Sequence, residues 1–358
     1  MIVIIVKKSR NFLKFGIDMN ANYVLVTAVA NKLGFLDAYA FLRRKLTRSQ
    51  VAILMYHRVS LKKDDWSYES LSPQAFESQM EYFCREYEIL SLDDLAQYIL
   101  QGKNLPHKAV VITFDDGYRD NYLYAYPILK KHHIPATIFI TTGHIGTGKL
   151  FWWDKVSYAI QHTEIEKLNL EELGSYLLQS AHDKSKVCST IIERLKKLPE
   201  ERKALLIEKL LAISGVELPS TDFSKKLILS WEEIREMNND GISFGAHSVN
   251  HPILTNIPLE QAKWEIVQSK KDIYKNLGRE VTAFSYPNGN FSPEVAKFVK
   301  ESGFTCAVSV LPFKLISQKD NPYELSRIIL SDDFNTFKFI FCGLWCDLHE
   351  MARRGGLM

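Results

Sequence analysis

Residues 109–118 read Ala109-Val110-Val111-Ile112-Thr113-Phe114-Asp115-Asp116-Gly117-Tyr118. Ala109 to Thr113 carry no charge and are apolar or β-branched, the pattern of a buried strand. Two carboxylates then stand side by side at its C-terminal mouth. Adjacent acids there repel each other and are costly to desolvate, so a cation must compensate, and a divalent metal is the usual one. Alone, Asp-Asp-Gly reads as a surface turn or a helix N-cap. It becomes a site once metal ligands occur elsewhere in the chain.

They occur at His247-Ser248-Val249-Asn250-His251, after a second strand-like run, Ile242 to Ala246. Two histidines four apart share one face of a helical turn, so both imidazoles can reach one ion. One Asp and two His make three protein ligands and leave a position open, which is the pattern of a catalytic ion rather than a structural one.

Thr113-Phe114-Asp115-Asp116-Gly117-Tyr118 and His247-Ser248-Val249-Asn250-His251 resemble the first two motifs of the polysaccharide deacetylase family, the NodB-like family 4 carbohydrate esterases. Phe284-Ser285-Tyr286-Pro287-Asn288-Gly289 resembles the third. Leu54-Met55-Tyr56-His57-Arg58-Val59 resembles the opening strand of the branch that includes the poly-N-acetylglucosamine deacetylases. The resemblance spans roughly residues 50–330. It implies one divalent ion, zinc first, with cobalt, nickel or iron as alternatives, held by Asp116, His247 and His251. It further implies Asp115 as general base, His57 as the acid that protonates the leaving amine, and Tyr286 and Asn288 at the substrate and oxyanion. The chain departs from the family at Ser285, where an arginine that tethers the base is usual. Arg327 and Arg58 are the candidates to replace it. The family's later tryptophan motif is not matched in order by Trp152-Trp153-Asp154, which reads as a packing anchor or as a stacking platform for sugar rings. Two other histidines, His144 and His349, are weaker candidates for the acid; His144 reads as a loop residue.

The rest of the chain alternates strand and helix, which implies parallel pairing with crossovers. Strands are expected at 51–56, 109–113, 135–140, 242–246, 281–286, 304–310 and 325–330. Helices are expected after Ser72 and Leu92 and over 118–133, from the capping box at Ser230 to Asn239, and over 259–277 and 293–302. About seven strands suit an α/β fold, a distorted and incomplete (β/α)7 barrel whose working groups sit at C-terminal strand ends. Asp115, His247, Tyr286 and His57 all fall at such ends. Residues 151–226 break the rhythm. They are rich in Leu, Lys and Glu and read as a mainly helical insertion with no strand signal, with helices such as 186–198 and 200–214, beside the barrel mouth. The division is therefore an N-terminal helical segment 1–50, a barrel 51–345 and a tail 346–358.

At 358 residues, 46% apolar and 24% charged, the chain is of the soluble globular class. A net charge of +3 argues against a nucleic-acid binder. Five scattered cysteines, Cys84, Cys188, Cys306, Cys342 and Cys346, read as reduced thiols. Met1 to Val6 is short and precedes Lys7 and Lys8, the reverse of a signal peptide, and no apolar run is long enough for a membrane span. A cytoplasmic location is the expectation. Residues 9–48 read as a packing helix, with peripheral membrane contact as the sharper alternative. The functional expectation is metal-dependent removal of N-acetyl groups from amino sugars of a polysaccharide or its precursor. O-acetyl ester hydrolysis at the same site and a glycan-binding barrel without turnover are the alternatives.

Overall fold

The computed structural model describes residues 21–46, 50–61, 70–310, 314–331, 333–342 and 344. We number the strands of its main sheet β1 (Val51–Tyr56), β2 (Glu88–Leu90), β3 (Ala109–Phe114), β4 (Ala136–Ile140), β5 (Ser243–Ala246), β6 (Ala283–Ser285), β7 (Cys306–Ser309), β8 (Leu325–Ser326) and β9 (Ile328–Ile329). Every residue of β1, β3 and β4 is buried, as expected of parallel strands covered on both faces.

The strands run β8-β7-β6-β5-β4-β3-β1-β9, all parallel, with β2 also beside β3. β8 and β9 are two halves of one stretch interrupted by Arg327. Ser326 pairs with Ser309 of β7, and Ile328 pairs with Leu54 of β1. That stretch joins the two ends of the sheet and nearly closes it into a barrel of seven staves. β2 and β4 share one edge of β3, β2 along its first half and β4 along its second. This is the distorted (β/α) barrel expected from the sequence.

Pleating sorts the side chains into two cores. Ile53, Val111, Phe139, Ala283, Cys306, Val308 and Leu325 fill the barrel interior. Leu54, Ile112, Ile138 and Phe284, one residue out of step, face the surrounding helices. Phe139 is the bulkiest interior group, and Gly245 makes room for it: a Cβ there would come within 2.5 Å of the Phe139 ring.

Helices begin where caps were expected. Ser72 Oγ accepts the Ala75 N–H at 3.2 Å, and Ser230 and Glu233 form a reciprocal capping box. The helix expected over 118–133 is instead a π-helical turn, Asn121–Ala125, running into a short α-helix, Tyr126–Lys131. Pro127 has no N–H to continue an α ladder, and the wider turn accommodates it.

The insertion is mainly helical, as expected, and also carries a hairpin for which the sequence showed no strand signal. Helices Trp152–His162, Ala181–Leu195, Glu200–Ser214 and Thr221–Ser224 enclose an antiparallel hairpin, Lys167–Leu170 with Gly174–Leu177. Its strands are four residues each, too short for their alternation to stand out in a Leu- and Glu-rich stretch. Leu168 and Leu170 turn inward to a separate core with Ile160, Ile191, Leu195 and Leu206.

The segment read as one N-terminal helix contains two in its described part, Ala21–Lys32 and Phe35–Leu46, broken at Gly34 with φ +71°. Leu36 and Ala40 are buried, while Leu33, Phe35, Phe41 and Leu42 are exposed. Asn31 Nδ2 donates to Asn335 Oδ1 at 2.8 Å, tying the segment to helix Phe334–Phe341. Met1 to Val6, Lys7, Lys8, Arg48, Cys346, His349 and the tail 346–358 lie outside the described residues. No described helix is long and apolar enough to cross a membrane.

Candidate active site and metal centre

Asp115 follows β3 in the parity of Val111 and Thr113, so its carboxylate points into the barrel. Asp116 would point outward by the same rule, but its backbone adopts φ +73° and the chain turns at Gly117. This left-handed turn swings the second carboxylate across the mouth toward the histidines. Two adjacent, buried acids thereby acquire different partners.

Arg327 lies across the barrel, fully buried at the break between β8 and β9. Its Nη1 donates to Asp115 Oδ1 at 2.7 Å and its Nη2 to Oδ2 at 2.5 Å. Ser285 Oγ accepts from the same Nη2 at 2.9 Å and lies 3.2 Å from Asp115 Oδ2. Burial alone would raise the Asp115 carboxyl, but the Arg327 guanidinium and His247 outweigh it and hold the group well below the usual carboxylate range. Arg58, the other sequence candidate, does not reach Asp115; its Nε donates to Asp120 Oδ2 at 2.7 Å.

Asp116 Oδ1 stands 3.5 Å from His247 Nε2 and 3.5 Å from His251 Nε2, and the two nitrogens are 3.1 Å apart. Ligand atoms around a tetrahedral zinc at about 2.0–2.2 Å stand roughly 3.3–3.6 Å from one another. Asp116 Oδ1 is buried and has no hydrogen-bond partner. His247 Nδ1 lies 2.8 Å from the Ser285 carbonyl oxygen, which accepts its proton and leaves the Nε2 lone pair toward the triangle. Burial and the neighbouring His247 push His251 down to about 3, so its ring is neutral. The three residues therefore fit a divalent ion.

A family profile for polysaccharide deacetylase matches residues 102–307. The chain belongs to the polysaccharide deacetylase family. A poly-beta-1,6-N-acetyl-D-glucosamine N-deacetylase of Staphylococcus aureus is 26% identical over 303 residues, covering 81% of this chain and 81% of that protein. Among solved structures, the Streptococcus pyogenes deacetylase PplD in complex with acetate shares the fold with a TM-score of 0.56 at 20% identity, over 83% of this chain and 99% of that one. IcaB from Ammonifex degensii does so at 0.54 and 18%, over 82% and 97%. This deacetylase is a hydrolase of that family.

Its cleft is lined by Asp115, Asp116, His247 and His251 together with His57, Asn288, Tyr118, Trp152, Trp153, Ile192 and Lys196 among others. His57 and Asn288 thus share one cleft with the acid pair. Asn288 takes φ +58°, which turns the loop after β6 into the mouth. Tyr286 does not join them. It is fully buried, its hydroxyl donates to the Tyr323 carbonyl at 2.9 Å and its backbone N–H to Val308. Ser285 points inward, so by pleat parity Tyr286 points out to the helices. His144 lies in the turn after β4, a loop residue as expected, but a buried one: it stacks on Phe151 at 4.2 Å, and burial pushes it down to about 4.

Sequence reading missed Glu265. It comes from the middle of helix Leu259–Leu277, is 1% exposed, and accepts from Val249 N at 2.7 Å, Asn250 N at 2.9 Å and Asn250 Nδ2 at 2.9 Å. Those residues form the loop between the two histidines, in which Ser248 and His251 both hold positive φ. Glu265 therefore clamps a strained loop in the shape that aims His251. Glu265→Ala leaves the buried Val249 N–H and the part-buried Asn250 N–H without their acceptor. It is expected to weaken zinc binding about tenfold to a hundredfold in a calorimetric titration. Zinc affinity equal to wild type would sink the clamp.

Asp154 is the second missed group. Trp153 Nε1 donates to Tyr118 Oη at 2.9 Å, and that hydroxyl donates to Asp154 at 3.0 Å. Burial pushes the Asp154 carboxyl up to about 7. Between about pH 4 and 7 the folded protein holds a proton that the unfolded chain has released. The stability this proton contributes is complete below about pH 4 and is lost as the pH rises through 7. Asp154→Asn keeps an acceptor for Tyr118 without the charge. Its Tm relative to wild type is expected to climb by several degrees between about pH 5 and 8. A constant difference over that range would exclude the buried acid as the cause.

Proposed function

We propose that the protein removes N-acetyl groups from amino sugars of a polysaccharide or its lipid-linked precursor, with a divalent ion held by Asp116, His247 and His251. The observation that carries this reading is the two-pronged Arg327–Asp115 pair beside the ligand triangle. It places on Asp115, from another strand, the arginine that Ser285 fails to supply. A barrel that had lost turnover would have no need of it. The same observation favours an enzyme over a glycan-binding module.

The ion supplies Lewis acidity when bound, and a set of two imidazole nitrogens and one carboxylate suits zinc. Asp115 is ionised at neutral pH, with its charge oriented by Arg327. It accepts the proton released as the oxygen of water bonds to the acetyl carbon. His57 donates a proton to the sugar nitrogen as the carbon–nitrogen bond breaks, so acetate and a free amine leave. The backbone N–H of Asn288 is assigned to the developing oxyanion, a kind of contact worth about 3 kcal/mol of barrier. Leu36 and Ala40 make the described N-terminal helices a packing element.

Purified protein incubated with oligomers of N-acetylglucosamine tests this directly. Free amine is expected to appear in step with acetate. Acetate released only from O-acetylated glycans would replace amide hydrolysis with ester hydrolysis.

A further inference from the structure

The insertion contributes four side chains to the cleft: Trp152, Trp153, Ile192 and Lys196. The two indoles are held in different ways. Trp153 is committed to the fold: it stacks on Phe151 with centroids 4.4 Å apart, donates its N–H to Tyr118, and meets the His251 ring at 4.6 Å. Trp152 is half-buried and makes a wall of the cleft. Lys203 Nζ lies 4.7 Å from its ring centroid, and Trp153 meets it edge-on at 5.5 Å.

Lys203 explains why that indole is fixed. It is 3% exposed, and its ammonium pairs with Glu200 Oε1 at 2.6 Å. A cation buried beneath an aromatic ring, and itself held by a carboxylate, keeps the ring in one orientation. Ile192 and Ile253 extend the apolar wall beside Trp152. Lys196, paired with Glu193 at 2.9 Å, stands at the same wall, and its backbone carbonyl accepts from Asn256 Nδ2 at 2.9 Å. A fixed flat indole, aliphatic neighbours and a paired charge able to meet hydroxyls make a surface for the face of a pyranose ring.

We infer that the insertion carries a sugar subsite in which Trp152, braced by Lys203, stacks on a ring next to the one being deacetylated. This rests on the deacetylase reading above and adds that the substrate is a chain of at least two linked hexosamines. The barrel supplies the chemistry and the insertion selects polymer over monomer. Trp152 is then a specificity determinant, while Trp153 acts by holding the wall in place.

The experiment is a chain-length series of N-acetylglucosamine oligomers from one to five units, with acetate and free amine as readouts. For wild type, kcat/KM is expected to rise by about tenfold or more from the monomer to the longer oligomers. Trp152→Ala is expected to raise KM for the longest oligomer about tenfold while kcat changes less than about twofold, flattening the series. Trp152→Phe keeps a flat ring and is expected to restore most of the dependence. Thermal melts of both variants separate a binding defect from a folding defect. Calorimetric binding of the deacetylated oligomer gives a readout independent of turnover, with affinity expected to drop in Trp152→Ala and recover in Trp152→Phe. Equal kcat/KM for monomer and pentamer in wild type, or an unchanged KM in a folded Trp152→Ala, overturns the subsite and leaves the deacetylase reading standing. No turnover of any oligomer, with no oligomer binding, overturns both.

Discussion

Asp116→Asn is expected to lose the ion, whereas Asp115→Asn is expected to keep it and lose turnover. The two residues are neighbours with the same side chain, so a purely structural role for the pair would give similar defects. Their surroundings are different. Asp116 Oδ1 faces two imidazole nitrogens and has no other partner. A neutral amide oxygen there is a poorer zinc ligand than a carboxylate. Asp115 has both oxygens on Arg327 and contacts the triangle only through His247, at 3.8 Å. With Asp115 as the proposed base, removing its charge is expected to leave water without a proton acceptor, a loss on the order of 10² to 10⁴ in rate. His57→Ala is expected to resemble Asp115→Asn, with the ion retained. Metal analysis beside acetate release on the three variants decides this. Ion loss in Asp115→Asn with retention in Asp116→Asn would exchange the two roles.

Arg327→Met is expected to damage both stability and rate. The guanidinium is fully buried and compensates a buried carboxylate. Removing one partner of such a pair costs about 3–5 kcal/mol, because the other charge stays behind without compensation. The sign with pH follows from the depressed Asp115 carboxyl. Its contribution is present above the ordinary carboxylate pKa and is lost as the pH falls through the folded value. The stability deficit of Arg327→Met should therefore be largest at neutral pH and shrink in acid. The acid limb of the rate profile should move to higher pH, because the carboxyl no longer has its cation. Denaturant melts at several pH values, beside pH–rate profiles, measure both. An acid limb in the same place would mean that Arg327 does not tune the base.

Much of this site was legible because its signals are local. The Asp-Asp-Gly turn after an apolar run and the His-x3-His loop each fit within a few residues, and strand order brings them together. Arg327 was legible only as a candidate, since nothing in Leu325 to Leu330 says that the strand breaks there and turns its arginine inward. Glu265 could not be read at all. Along helix Leu259–Leu277 it is one of several charged residues, and only the packing of that helix on β5 sets it beneath the histidine loop. Tyr286 was misplaced although the means to place it were available: counting the pleat from Ser285 turns it outward. The hairpin at 167–177 escaped because four-residue alternations are weak against a helical composition. The subsite inferred for Trp152 rests on Lys203, which is distant in sequence and unremarkable there.

A single ion at Asp116, His247 and His251 is proposed to support amide hydrolysis on an acetylated glycan. Acetate and amine release from N-acetylglucosamine oligomers, followed through chelation and then stepwise return of zinc, tests it most directly. The expected result is full loss on chelation and recovery that saturates near one zinc per chain. Turnover that continues in demetallated protein, or recovery in His247→Ala equal to that of wild type, would contradict it.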